Sequence, residues 1–208
     1  GSTGKPKGVM VPHGGVVNLV HAIWMQYGDD VSKIFGLSTS YTFDPFVRKL
    51  VECIGMLGQR CMLLSGSTAL LKLNQTAMVT HLGDVPSVMS MASIPPSIKQ
   101  VEVAGEALTH AVIDNVGSRR ALWNNYGPTE ASVDVSDRLV RGAERLASIG
   151  SALCNVTFHV ADLRFEGLCA IGVWGELWLG GVQVSRGYLS RSEKTAEGFA
   201  ASPWTGTD

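Results

Sequence analysis

The sequence predicts an α/β fold, parallel-sheet layers with helices followed by a small β-rich subdomain, and three observations carry that reading. Short apolar runs alternate with segments of helical period, at separations suited to crossover connections rather than hairpins. The alternation stops near residue 146, beyond which apolar stretches are short and divided by glycines. An apolar fraction of 45% in 208 residues supplies one domain's worth of core.

Residues 1–8 (GSTGKPKG) form a turn-rich loop, after which Val16, Val17, Leu19, Val20, Ile23 and Trp24 recur at helical spacing across 15–27. A strand is expected over 33–40, a helix over 46–57 and a strand over 60–64. Further on, 76–82 reads as strand and 85–91 as helix, and Pro95-Pro96 breaks the chain before a strand over 99–103. A helix over 107–116 and a strand over 121–124 lead into the tight turn Tyr126-Gly127-Pro128. Beyond it, 156–161, 170–171 and 176–179 read as short strands, and 175–189 (GELWLGGVQVSRGYL) as a β-hairpin turning at Gly180-Gly181. The chain thus divides into an α/β portion, 1–145, and a β-rich portion, 146–208.

With 17 Lys+Arg against 18 Asp+Glu and no basic block, no nucleic-acid partner is expected. No apolar run reaches the roughly 18 residues of a membrane span and no signal segment opens the chain, so no membrane association and a cytoplasmic location are expected. Cys53, Cys61, Cys154 and Cys169 form no CxxC pair and have no His at metal-ligand spacing, which predicts reduced, mostly buried thiols rather than zinc. The sequence starts with Gly1 inside a glycine-rich loop and without Met, and so reads as an excised piece.

Two segments carry the chemistry. The first, 1–8, combines backbone N–H groups, the hydroxyls of Ser2 and Thr3 and the ammonium groups of Lys5 and Lys7, the inventory a polyphosphate requires. Pro6 after Lys5 excludes a Walker loop, which needs Ser or Thr there for magnesium. The second, Asn124-Asn125-Tyr126-Gly127-Pro128-Thr129-Glu130, gathers a carboxamide, an aromatic ring, a hydroxyl and a carboxylate around one turn. Such a set suits a nucleotide and its magnesium, and it also suits a plain turn before a helix capped by Thr129. Asp44, in Phe43-Asp44-Pro45-Phe46, stands near the end of a predicted buried strand, where ligands bind open parallel sheets, and equally where a helix is capped.

Taken in order, GSTGKPKGV, YTFDPF, VEVAGEAL, NNYGPTE and GELWLGGVQVSRGYL resemble the motifs of the adenylate-forming superfamily, most closely the adenylation domains of nonribosomal peptide synthetases. The resemblance implies that Ser2, Thr3, Gly4 and Lys7 hold the phosphates of ATP, that Gly105 and Glu106 lie beside the nucleotide, and that Asn124 and Tyr126 contact adenine, with Gly127 in the same turn. Thr129 would meet the α-phosphate and Glu130 the magnesium ion (Mg2+). Asp208 stands for the ribose-binding Asp, although Thr207 interrupts its motif. Asp44 would pair with the α-ammonium of an amino acid substrate. The implied reaction joins a carboxylate to the α-phosphorus of Mg-ATP, releases pyrophosphate, and passes the aminoacyl group to a phosphopantetheine thiol on a peptidyl carrier domain, among neighbouring synthetase domains. The family's catalytic lysine belongs to a subdomain beyond residue 208, so the chain is not expected to adenylate efficiently alone. An acyl-CoA synthetase-type ligase and a non-catalytic remnant are the alternatives.

By the same resemblance the side-chain pocket comprises Pro45, Arg48, Gly83, Glu102, Ala104, Asn125, Val133 and Asp134. Arg48 after Asp44-Pro45 is similar to α-aminoadipate-activating relatives and suits a substrate carboxylate. Alternatively Glu102 and Asp134 are its internal partners, or they select a basic or polar side chain, or Arg48 points to solvent from its helix.

Overall fold

A computed structural model describes residues 7–28, 32–55, 59–73, 78–141, 148–162, 164, 167–201 and 204. Helix α1 (His13–Tyr27) follows the N-terminal loop and ends at Gly28, whose φ of 65° favours glycine. Strand β1 (Ile34–Leu37), helix α2 (Asp44–Gly55) and strand β2 (Arg60–Leu63) then make the expected strand, helix, strand unit. A short 3-10 helix (Ser67–Lys72) precedes β3 (His81–Asp84), α3 (Pro86–Met89), β4 (Gln100–Val103), α4 (His110–Val116) and β5 (Ala121–Tyr126). Of the helix expected over 46–57 and the strand expected over 76–82, residues 56–57 and 76–77 lie outside the described residues.

One sheet has the order β2-β1-β3-β4-β5-β6-β7, where β6 is Ser136–Val140 and β7 is Ser151–Ala152. The first five strands are parallel and the last two antiparallel. Strand β6 is not foreseen by the apolar pattern. It forms because the turn after Gly127 passes through Ser132 and Val133 at φ 59° and 78° and sends the chain back along β5.

The central parallel strands β1, β3 and β4 are buried on both faces, as crossover helices require, whereas β2 at the sheet edge is exposed. One face is apolar: Leu82, Val101, Val103 and Leu122 pack with Met89, Val112 and Val116. The other presents His81, Gln100, Glu102 and Asn125, all buried. This second face dictates how α2 sits. Its periodicity would normally turn Val47, Leu50 and Ile54 inward, yet these are exposed, while Arg48, Lys49 and Glu52 are buried. Carboxylates on the sheet attract the cationic side of the helix, and the apolar side faces out.

The β-rich portion contributes β7 to the large sheet, and β8 (Val156–Ala161) pairs with β9 (Glu176–Gly181) as a separate two-stranded sheet. Three expectations change here. Residues 170–171 form no strand; the nearest pairing is an isolated bridge between Ala161 and Leu168. Residues 175–189 do not fold back on themselves: β9 takes β8 as its partner, and 186–189 pair instead with 8–10, through Arg186 N to Met10 O (3.1 Å), Met10 N to Gly187 O (2.9 Å) and Leu189 N to Gly8 O (2.7 Å). The cysteines are not four buried thiols. Cys53 on α2 and Cys61 on β2 form a disulfide, Cys154 is exposed and Cys169 half-buried. The return from helix α2 into strand β2 brings Cys53 and Cys61 together with a Cα separation of 6.6 Å, a proximity that spacing along the chain does not reveal. Among the described residues no helix is long and apolar enough to cross a membrane.

Candidate active site

The loops leaving the carboxyl ends of β1, β3, β4 and β5 converge, at the edge where open parallel sheets hold ligands. The loop after β1 delivers Asp44 as the first residue of α2, and the loop after β5 delivers Thr129 and Glu130 in a single 3-10 turn (Thr129–Ala131). The Thr129 hydroxyl donates to Asp44 Oδ2. Burial pushes the Asp44 carboxyl up, the Thr129 hydrogen bond opposes that, and the Glu130 charge adds to it.

Glu130 is tied to the start of the chain through Tyr188. The Tyr188 hydroxyl donates to Glu130 Oε1, and Lys7 Nζ lies over the Tyr188 ring, 5.0 Å from its centroid. Burial and the neighbouring carboxylate push the phenol up to about 12. The backbone N–H of Ser185 also donates to the Glu130 carbonyl at 2.8 Å. The pairing of 8–10 with 186–189 therefore brings Lys7 to the turn that carries Glu130. Ser2, Thr3, Gly4 and Asp208 lie outside the described residues. Glu130 and Pro128 border a cleft of about 570 Å3 that Arg186 also lines, a volume in the range of small-molecule sites.

Gly127 has no room for a side chain, since a Cβ there would lie 2.2 Å from the Val133 carbonyl oxygen. Gly105 sits at φ 84°, and its missing side chain leaves space against Phe43. Glu106 uses both carboxylate oxygens on Ser87, accepting from its backbone N–H at 2.9 Å and its hydroxyl at 3.0 Å near the start of α3. Asn124 is buried and donates to the Ser148 carbonyl at 2.8 Å, while Tyr126 packs against Ala131, Val135 and Val156.

Of the eight pocket candidates, seven line one narrow cleft: Pro45, Arg48, Gly83, Glu102, Ala104, Asn125 and Asp134. Val133 does not; it packs on Leu19 and Ile23 of α1. Arg48 is neutralised from within, its Nη1 standing 3.1 Å from Glu102 Oε2 and 3.1 Å from Asp134 Oδ2. The same Glu102 oxygen receives Lys49 Nζ, and Gln100 donates to its other oxygen at 2.8 Å. Burial would raise the Glu102 carboxyl, but Arg48 and Lys49 outweigh it and bring it down to about 2. Asp134 is raised, because burial outweighs the pull of Arg48. Glu52, behind them, is pushed up to about 7 by burial and by Glu102.

Lys49, Glu52, Gln100 and Gln183 are not legible as site residues in the sequence. Gln183 is fully buried and holds the turn that carries Asp134, donating to the Asp134 carbonyl at 2.7 Å and accepting from Asn18 at 2.8 Å. The one sequence signal for the others is the grouping of charges at 48, 49 and 52, one helical face, which ordinarily reads as a solvated surface.

Among the described residues no three His, Cys, Asp or Glu side chains cluster as a metal cage. Magnesium at a nucleotide needs no cage, only one or two carboxylates with phosphate oxygens and water. Glu130 fits, since among the described residues its one side-chain hydrogen bond is from the Tyr188 hydroxyl to Oε1.

Residues 1–189 match the family model described as AMP-binding enzyme. The chain is 36% identical over 222 residues to malpinin synthetase of Mortierella alpina, covering 99% of the chain and 3% of that protein. It is 34% identical over 218 residues to N-(5-amino-5-carboxypentanoyl)-L-cysteinyl-D-valine synthase of Penicillium rubens, covering 98% of the chain and 6% of the relative. Tyrocidine synthase 3 of Brevibacillus parabrevis is 35% identical over 222 residues, covering 98% of the chain and 3% of the relative. The chain thus spans a small fraction of the curated relatives it matches. Among solved structures, a holo four-domain nonribosomal peptide synthetase bound to AMP and glycine superposes with a TM-score of 0.85 at 25% identity, over 97% of this chain and 16% of that one. The N-terminal subdomain of Klebsiella oxytoca NpsA, in complex with 3-hydroxybenzoyl-AMSN, shares the fold, with a TM-score of 0.82 at 24% identity over 100% of this chain and 54% of that one. The chain belongs to the AMP-binding enzyme family, and within it is similar to the adenylation domains of nonribosomal peptide synthetases.

Proposed function

We propose that this chain provides the ATP- and amino-acid-binding part of an adenylation domain, which forms an aminoacyl-adenylate and passes the acyl group to the phosphopantetheine thiol of a carrier domain. In this reading 1–145 holds the phosphate loop and both substrates, and 146–208 completes the nucleotide side. Asp44 takes the α-ammonium of the amino acid, and Thr129 faces the α-phosphate. One carboxylate oxygen of the substrate forms a bond to the α-phosphorus while the bond to pyrophosphate breaks. Ser2, Thr3, Gly4 and Lys7 hold the phosphates that leave. Magnesium would supply neutralisation of phosphate charge, and Glu130 is the residue that would hold it. Transfer at phosphorus depends chiefly on such positioning and neutralisation.

The observation that carries this reading is the Thr129–Asp44 hydrogen bond. It brings the candidate ammonium anchor and the candidate α-phosphate contact within one hydrogen bond, as condensation of a carboxylate with ATP requires. The test is amino-acid-dependent ATP–pyrophosphate exchange by the full-length protein. Amino acids should support exchange and the matching α-deamino acids should not. Equal exchange with both would remove the role given to Asp44 and favour an acyl-CoA synthetase-type ligase.

A further inference from the structure

The cleft lined by Phe43 and Pro45, the two neighbours of Asp44 in the chain, holds a carboxamide with no hydrogen-bond partner among the described residues. Asn125 is 3% exposed, lines the cleft, and has neither its amide nitrogen nor its amide oxygen hydrogen-bonded among the described residues. A carboxamide left so in a buried site loses hydrogen bonds it would make in water. The charged groups around it differ. Arg48 is held between Glu102 and Asp134, at 3.1 Å from each, and Lys49 is held by Glu102. A substrate carboxylate would have to displace one of these anions from Arg48 or Lys49, and a substrate ammonium would have to displace a cation from Glu102 or Asp134. Either exchange leaves a buried charge without its partner, which is costly. The open space is also small, about 20 Å3, close to what one water molecule needs. Phe43, Pro45 and Val85 close its apolar side.

We infer, building on the function proposed above, that the amino acid activated here is a small one with a hydroxyl on its side chain, of the serine or threonine class. A hydroxyl both donates and accepts, which matches the two vacant functions of the Asn125 carboxamide, and it is the group whose size the cleft admits beside the paired charges. Arg48 and Lys49 then act as positioning residues that hold Glu102 and Asp134 in place and leave Asn125 to read the side chain. The acidic side chain suggested by Arg48 in the sequence loses its partner in this arrangement.

The experiment is ATP–pyrophosphate exchange by the full-length protein, comparing serine, threonine, alanine, valine, leucine, phenylalanine, glutamate, α-aminoadipate and lysine as separate substrates. Serine or threonine should exceed alanine and valine in kcat/KM at least about tenfold, because a site built to bond a hydroxyl rejects the analogue that lacks it. In Asn125→Leu that ratio should collapse toward one. A preference for α-aminoadipate, glutamate, lysine, leucine or phenylalanine would overturn this inference while leaving amino-acid activation standing. A wild-type preference for alanine or valine over their hydroxylated counterparts would overturn it equally. Exchange with no amino acid at all would overturn both this inference and the function it rests on.

Discussion

Arg48 Nη1 lies 3.1 Å from Asp134 Oδ2, and this contact joins the helix after β1 to the turn between β5 and β6. It also belongs to a buried assembly in which two cations from α2 meet Glu102 from β4. The wall of the candidate substrate cleft is therefore an electrostatic unit whose members come from three separate parts of the chain, and its stability depends on pH.

Two carboxyls in that unit give opposite slopes. Glu102 is depressed to about 2, so its contribution is present above its ordinary value of 4.5 and is lost as pH falls toward 2. Glu52 is raised from 4.5 to about 7, so the folded state holds its proton more tightly than the unfolded state across that window, and stability falls as pH rises through it. Urea unfolding as a function of pH should show this decline, and Glu52→Gln should flatten it. An unchanged slope in the variant would assign the decline to another group.

Replacing Asp44 separates the two substrates. Asp44→Asn keeps an acceptor for the Thr129 hydroxyl but removes the charge proposed to meet the substrate ammonium. Amino-acid-dependent exchange by the full-length protein should fall about 100-fold, a loss of roughly 3 kcal/mol on losing a charge-assisted contact. ATP binding by calorimetry should be nearly unchanged. A parallel loss of nucleotide affinity would show that Asp44 acts through Thr129 alone.

Tyr188 links the two ends of the site. Removing its hydroxyl in Tyr188→Phe breaks the hydrogen bond to Glu130 and frees Oε1. A hydrogen bond to a carboxylate is worth about 1.5–3 kcal/mol, so the midpoint of chemical denaturation should drop accordingly. If Glu130 holds magnesium as proposed, the magnesium dependence of exchange should shift as well, since its Oε1 is released from Tyr188.

Gly127→Ala is expected to be severe for a reason local propensity does not contain. The added Cβ would meet the Val133 carbonyl oxygen at 2.2 Å and the Asp134 Cα at 2.6 Å, both backbone atoms that cannot rotate away. The turn must open to accept it, at about 3 kcal/mol. Circular dichroism melting should show the loss, and Gly14→Ala, on a helix position with open space around it, should not.

Much of the scaffold is legible in the sequence because its causes are local. The helical period over 15–27 yields α1, the run KIFGL yields β1, and Pro95-Pro96 closes the segment before β4. The order of the motifs is likewise enough to indicate the AMP-binding family, and the resemblance names most of the cleft-lining set. Other features are products of packing. Nothing local in DPFVRKLVECIG says that Arg48, Lys49 and Glu52 turn inward; the helix shows them to the sheet because Glu102 waits on β4 and Asp134 at the turn beyond β5. The sequence also does not reveal that 186–189 reject a hairpin in favour of 8–10, that Cys53 meets Cys61, or that Val133 turns to α1 while Asn125 keeps its amide open. Composition and motif order determined which residue types are available for the proposed nucleotide and amino acid chemistry. Tertiary structure decided which of them are already satisfied by one another, because burial makes every charge choose its partner from whatever elements pack nearby.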